Sequence, residues 1–237
     1  MRQFGERFGL RQPLPRGSGT ICPMTNGNVL KRNATQSTKQ AEPAKHVEQA
    51  QAATISKLAM VITTYKRQKL LATLFDSILA LEQAPWRIIV VDNEQSDETR
   101  GMVEEFETKV NDQWGKTVVD GDGNQSRVVY APQTENLGGA GGFSAGVKKA
   151  YELGAEWFWV MDDDVAVLPD AIAKLAPWTK RHEVIQGSRF DYDGGPFYWQ
   201  YDFRIGLGIP NPIAPAAFGP AGYRVMNTLC FEGGLFS

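Results

Sequence analysis

Four short, unbroken apolar runs alternate with helix-like stretches, and three of the four end directly in polar or charged residues. The first is Leu58-Ala59-Met60-Val61-Ile62, and the second is Ile88-Ile89-Val90-Val91. The third is Val128-Val129-Tyr130, and the fourth is Trp157-Phe158-Trp159-Val160-Met161. Runs this short and this continuous suit strands covered on both faces. Between the first two, Leu70, Leu71, Leu74, Ile78 and Leu81 are spaced as one face of a helix. Residues Asp97 to Lys109 read as a second helix, and a glycine-rich stretch, Asn136 to Gly146, leads into a third that ends near Leu153. Asp120 to Gln125 reads as a turn or exposed loop. Strands alternating with helices imply parallel crossover units, so the expected class is α/β with a doubly wound, mostly parallel sheet.

Ligands of such sheets sit beyond the carboxyl ends of the strands. The chemically interesting stretches, Thr63 to Arg67, Asp92 to Asp97 and Asp162 to Asp164, all fall there. After Pro169 the pattern changes. Ala171 to Trp178 reads as a short helix, Phe190 to Phe203 as a hairpin or a loop over the site, and Ile205 to Pro220 as irregular, being dense in Gly and Pro.

Charge divides the chain. Residues 1–57 hold nine Lys/Arg against three Asp/Glu, whereas the remainder holds sixteen against twenty-four. The first segment has few large apolar side chains, so a flexible basic arm over 1–57 is expected before a folded body over 58–237. Within it, Ala41 to Ala53 has the makings of a short helix. Such an arm can meet an anionic membrane surface, but a solvated tail is the plainer reading. The net charge of −2 gives no field for nucleic acid. Two isolated cysteines, Cys22 and Cys230, make neither a disulfide framework nor a metal cluster. With no apolar stretch of membrane-spanning length, the expected location is the cytoplasm, with peripheral contact at the inner face of the plasma membrane open to the arm.

Asp162-Asp163-Asp164 is the sharpest chemical signal. Three adjacent carboxylates at a buried strand end repel one another unless a cation offsets them. Hard divalent ions take such oxygens and keep positions for phosphate. In a strand, residues i and i+2 point the same way, so Asp162 and Asp164 are the candidate ligands. Asp163 turns elsewhere, to a ribose hydroxyl or into the fold's interior. In Asn136-Leu137-Gly138-Gly139-Ala140-Gly141-Gly142-Phe143 the glycines let backbone approach a phosphate or sugar ring, which makes Asn136 and Gly139 nucleotide-binding candidates. The alternative is close helix-to-sheet packing. Thr63 and Tyr65 can frame a base and ribose, and Arg67 can meet a phosphate; alternatively Thr63 or Thr64 caps the next helix. Asp92 can accept from a pyrimidine N3–H, and Asp97 can cap the helix it opens. His46 and His182 are too far apart to read as a metal pair, and His182 reads as surface.

Taken in order, Val-Ile-Thr-Thr-Tyr-Lys-Arg, Val-Val-Asp-Asn, Asn-Leu-Gly-Gly-Ala-Gly-Gly-Phe and Met-Asp-Asp-Asp-Val resemble family 2 glycosyltransferases of the GT-A fold. The double-glycine run before the Asp triplet is most similar to galactofuranosyltransferases, with rhamnosyltransferases close by. The resemblance implies inverting transfer of a hexosyl group from UDP-galactofuranose or dTDP-rhamnose to a glycan or lipid-linked acceptor. It implies Mn²⁺ or Mg²⁺ at Asp162 and Asp164, and base and ribose contacts near Thr63, Tyr65 and Asp92. In that family the general base lies after the region that Phe231 to Phe236 begins, so this chain is expected to stop short of it: a shortened gene product, a deliberately cut piece or half of a split protein. Glu232 is the only carboxylate after Asp202 and a weak candidate for the base. Two other functions stand behind this one. A nucleotide-binding remnant without turnover fits motifs that lack a base. Sugar nucleotidyl transfer fits less well, because Thr63 to Arg67 is not the glycine-rich loop that chemistry uses.

Overall fold

The computed structural model of the chain describes residues 54–119, 123–192, 201–204, 209–212 and 232–237. The basic arm, with the helix expected over 41–53, falls outside the described residues except for its last few. Of these, Ile55 is buried in the apolar core, so the approach to the first strand already docks.

The elements run β1 (Leu58–Thr64), α1 (Gln68–Leu79), β2 (Arg87–Asp92), α2 (Asp97–Trp114), β3 (Thr117–Val119) and β4 (Gly123–Gln125). They continue with β5 (Val128–Pro132), α3 (Gly138–Glu152), β6 (Trp157–Asp162), α4 (Ala171–Leu175), a 3₁₀ turn over Ala176–Lys180, β7 (Val184–Gln186), β8 (Tyr201–Arg204), β9 (Ile209–Pro212) and β10 (Gly234–Phe236). The six-stranded sheet has the order β5-β2-β1-β6-β10-β7. β5, β2, β1 and β6 are parallel, and β10 enters antiparallel between β6 and β7. This is the doubly wound, mostly parallel α/β sheet that the sequence implies. Among the described residues no helix is long and apolar enough to cross a membrane.

Period-two alternation sorts the strands' side chains onto two faces. Met60, Ile62, Ile88, Val90, Trp159 and Met161 face α1 and α2, which contribute Leu71, Leu74, Phe75, Ile78, Val103 and Phe106. Phe75 and Phe106 stack in parallel across the two helices, with ring centroids 3.9 Å apart. Ala59, Val61, Ile89, Val91, Phe158 and Val160 face α3, met by Phe143 and Ala150.

Several expectations change in detail. The third helix begins at Gly138, so most of the glycine run lies inside it rather than ahead of it. A Cβ at Gly142 would come within 2.9 Å of Thr63 Cγ2 and Asn93 Nδ2, and one at Gly146 within 2.8 Å of Val91 Cγ2, with Val61 closer still. These two glycines, one turn apart, let α3 lie directly on β1 and β2. Ser96, not Asp97, caps α2, its side chain accepting from the Thr99 backbone N–H. α2 also runs past Lys109 to Trp114, because Val110 is still buried; Gly115, at φ 70°, then turns the chain. Arg127 donates to the carbonyls of Gly115 and Pro85, setting a cation at the negative end of α2. Gly123 to Gln125, expected in a loop, pairs with β3, the Asp-Gly stretch between them being a hairpin signal. Ile209 to Pro212, expected to be irregular, pairs with β8.

Gly146→Ala is expected to destabilise the protein by about 1–2 kcal/mol in urea unfolding. Alanine would gain about 1 kcal/mol in helix propensity, but the methyl would have to push α3 off two β-branched side chains on central strands. A stabilised variant would show that α3 does not rest closely on β1 and β2.

Candidate functional site

The carboxyl ends of β1, β2, β5 and β6 share one edge of the sheet. There β1 and β6 are tied through side chains. Thr63 Oγ1 donates to Asp162 Oδ1 at 3.3 Å, and Thr64 Oγ1 donates to Asp163 Oδ2 at 2.7 Å. Neither threonine caps α1, whose first turn has no side-chain cap. The chain then turns through Lys66 at φ 57°. This presents exposed Arg67, which donates to Asp164 Oδ2 at 2.7 Å and Asp163 Oδ1 at 3.3 Å.

The three aspartates have different surroundings. Asp163 is buried, and both its oxygens are engaged by Thr64 and Arg67; of the two directions open to it, it takes the interior. Burial raises its carboxyl pKa, and the Thr64 hydroxyl and Arg67 oppose that shift. Asp162 is half-buried, and its pKa is raised by burial and then by the carboxylates of Asp164 and Glu232. Asp164 is more open, and its backbone carbonyl accepts from the Tyr192 hydroxyl at 3.0 Å. Arg67 therefore supplies part of the positive charge that the triplet needs. Among the described residues no three His, Cys, Asp or Glu side chains are grouped to hold a metal by themselves.

Beside this edge lies an open cleft of about 370 Å³, lined by Tyr65 and Lys66 after β1, Asn93 and Glu94 after β2, and residues 133–136 after β5. Tyr65 and Asn136 are both among the residues that line it. Asp92 does not reach the cleft. It is buried, and its carboxylate accepts from the backbone N–H groups of Glu94 and Ser96 and from the Tyr130 hydroxyl at 2.7 Å. Bonded by its own loop and by Tyr130, it shapes the cleft wall from behind, while buried Asn93 and partly exposed Glu94 line the cleft. Asn93 links the loop to α3, its Oδ1 accepting from the Leu137 N–H and its Nδ2 reaching the Gly138 carbonyl. Asn136 Oδ1 accepts from the Gly138 N–H at 2.8 Å, closing a turn at the helix start. Gly139 is exposed in the first turn, with open space where a side chain would be.

Glu232 also reaches this edge, because β10 runs antiparallel to β6 and begins where β6 ends. Arg189 donates to Glu232 Oε2 at 3.0 Å. Asp191 lies exposed near Tyr192, to whose backbone N–H it is bonded, and His182 lies on the surface against Trp178. The side chain of Asp202 is outside the described residues. The sequence reading held Lys66, Asn93 and Glu94 only within the stretches Thr63 to Arg67 and Asp92 to Asp97, without singling them out, and it missed 133–135, although their place immediately after β5 was a usable signal. It missed Arg189, which follows no buried parallel strand, and it held Tyr192 only within Phe190 to Phe203, read as a hairpin or a loop over the site, of which residues 193–200 lie outside the described residues.

The sequence model of Glycosyl transferase family 2 matches residues 59–229. Galactofuranosyltransferase GlfT1 of Mycolicibacterium smegmatis is 35% identical over 104 residues, 44% of this chain and 28% of that protein. Galactofuranosyltransferase GlfT1 of Mycobacterium tuberculosis H37Rv is 33% identical over 104 residues, 44% of this chain and 29% of that protein. The match thus spans less than a third of either relative's length. Among solved structures, S. aureus TarS 1–349 in complex with UDP superposes with a TM-score of 0.47 at 19% identity, over 62% of this chain and 39% of that one.

Proposed function

Because the chain belongs to glycosyl transferase family 2, we propose that it binds a nucleoside-diphosphate sugar and serves the inverting transfer of a hexosyl group to a cell-surface glycan or lipid-linked acceptor. The observation that carries this reading is the juxtaposition of the cleft beyond β1, β2 and β5 with the Asp162–Asp164 carboxylates beyond β6. Base and ribose would lie in the cleft against Tyr65, Asn93 and Asn136, and the diphosphate would extend across the end of β1 toward the aspartates. UDP-galactofuranose is the favoured donor over dTDP-rhamnose, since the similar proteins bear the galactofuranosyltransferase name.

The residues fit a divalent cation. Asp162 is a half-buried carboxylate whose charge is disfavoured by its surroundings, and Asp164 adds a second hard oxygen donor. Two such ligands leave room for diphosphate oxygens, as Mn²⁺ or Mg²⁺ require. When bound, the cation would offset the charge that develops on the departing diphosphate. The chain's own groups do the rest. Thr63 and Thr64 fix the carboxylates from below. Arg67, on a surface turn, exchanges Asp164 for a phosphate oxygen and so adds a second cation at the leaving group. No general base is assigned: Glu232 is paired with Arg189, and Asp191 is bonded to its own turn.

Calorimetric titration with UDP, with and without Mn²⁺, beside an assay of galactofuranosyl transfer, tests the proposal. Metal-dependent UDP binding is expected. Binding that ignores the metal would rule out Asp162 and Asp164 as its ligands, and no binding at all would remove the function.

A further inference from the structure

Arg67 already holds one of the two carboxylates proposed as metal ligands. Its Nη1 donates to Asp164 Oδ2 at 2.7 Å and to Asp163 Oδ1 at 3.3 Å, so a single guanidinium nitrogen spans two of the three aspartates. Asp162 is bonded by Thr63 instead. The two ends of the bridge differ. Asp163 is buried and is fixed a second time by the Thr64 hydroxyl at 2.7 Å. Arg67 and Asp164 stand in water, with side chains 52% and 42% exposed. Lys66, at φ 57°, lies in the left-handed region that side chains disfavour, and that turn carries Arg67 back over the triplet. The bridge therefore has an inner bond that is anchored and an outer bond that is open to exchange.

A divalent cation at Asp162 and Asp164 competes with the outer bond. It must take the Asp164 carboxylate from Arg67, and the two positive charges repel at such close range. A diphosphate reverses that balance. Its oxygens accept charged hydrogen bonds from a guanidinium, and its charge separates the two cations electrostatically. Only the exposed end of the bridge has to move, because Asp163 keeps its hold on the guanidinium. We infer that Arg67 is a latch on Asp164, which disfavours a bare divalent cation and is released by the diphosphate of an incoming nucleotide, so that metal and nucleotide enter together. The inference rests on the proposed function, because it needs the diphosphate to cross the aspartates. It goes beyond the leaving-group contact proposed there: Arg67 becomes the positioning residue through which one ligand controls the affinity of the other.

The experiment titrates the full 237-residue chain with Mn²⁺ alone, and with UDP in the presence of Mn²⁺, as wild type, Arg67→Gln and Arg67→Lys. Arg67→Gln should bind Mn²⁺ alone about fivefold more tightly, the upper scale of an exposed ion pair. The same variant should bind UDP with Mn²⁺ about tenfold more weakly, the scale of one charged hydrogen bond. By linkage, UDP should then raise Mn²⁺ affinity less in the variant than in wild type. Arg67→Lys keeps the charge without the planar fork and should move both affinities in the same two directions, by less. The opposite signs are the signature of a latch. Weaker binding of both ligands would mean that Arg67 only holds the aspartates in place, and tighter binding of both that it only repels the cation. Either result, or unchanged binding of Mn²⁺ alone, would overturn the inference. Failure of wild type to bind UDP would be a different result, removing the functional reading beneath.

Discussion

Trp159→Ala is expected to cost roughly 3–5 kcal/mol of folding stability, the range for deleting a large core aromatic. Trp159 is 6% exposed on β6, which lies between β1 and β10 in the sheet. Its ring belongs to the core that α1 and α2 cover, and little backbone is free to collapse into the space it would leave. The substitution also removes the indole N–H from the Gly233 carbonyl, so it loosens the joint between β6 and β10. Trp159→Phe separates the two contributions: it keeps most of the bulk and should lose only about 1–2 kcal/mol, the hydrogen bond and a smaller cavity. Urea unfolding of the three proteins measures both differences. A loss below about 1 kcal/mol in Trp159→Ala would place the ring outside the core.

Asp162→Asn is expected to lower Mn²⁺-dependent UDP affinity by about 100-fold or more, since even residues that only support a metal ligand change affinity 10–100-fold. Stability should move the other way or not at all. Burial, together with the carboxylates of Asp164 and Glu232, raises the Asp162 pKa, so at neutral pH its charge works against the folded state. Asparagine keeps the shape, can still accept from Thr63 and carries no charge. Thermal melting without metal should therefore show an unchanged or higher midpoint in the variant that has lost UDP. A lower midpoint together with weaker binding would mean that Asp162 supports the strand end structurally and that the metal assignment lacks its main ligand.

The sheet was legible because burial on both faces leaves an unmistakable pattern. β1, β2, β5 and β6 each read as a continuous apolar run, and the alternation along β6 sorts Trp159 and Met161 from Phe158 and Val160. The strand-end rule then led to Thr63, Arg67 and the aspartates. It was less informative about what each group does there, because a hydrogen bond to backbone leaves no trace in the sequence. Asp92 has the residue type expected of a base contact and is consumed by its own loop and Tyr130. The glycine run stayed open between phosphate approach and helix-to-sheet packing for a related reason. Glycine is a poor helix former, yet Gly142 and Gly146 lie within α3 because close packing on the sheet outweighs propensity. β10 is three residues long and has no period to detect, so neither it nor the Arg189–Glu232 pair could be found without the pairing itself.

The position of β10 also governs the order in which the sheet can assemble. Its three residues, with Leu235 wholly buried, are the wedge between β6 and β7, yet they come after everything else in the sheet. Until Gly234–Phe236 arrives, β6 has a bare flank, and the flank belongs to a strand reading Trp-Phe-Trp-Val-Met. Unpaired N–H and C=O groups on so apolar a strand are a template for another molecule's strand. Refolding should therefore be concentration-sensitive in the interval before β10 inserts. Substitutions that slow its arrival, rather than those that weaken the finished protein, should dominate the yield of soluble chain.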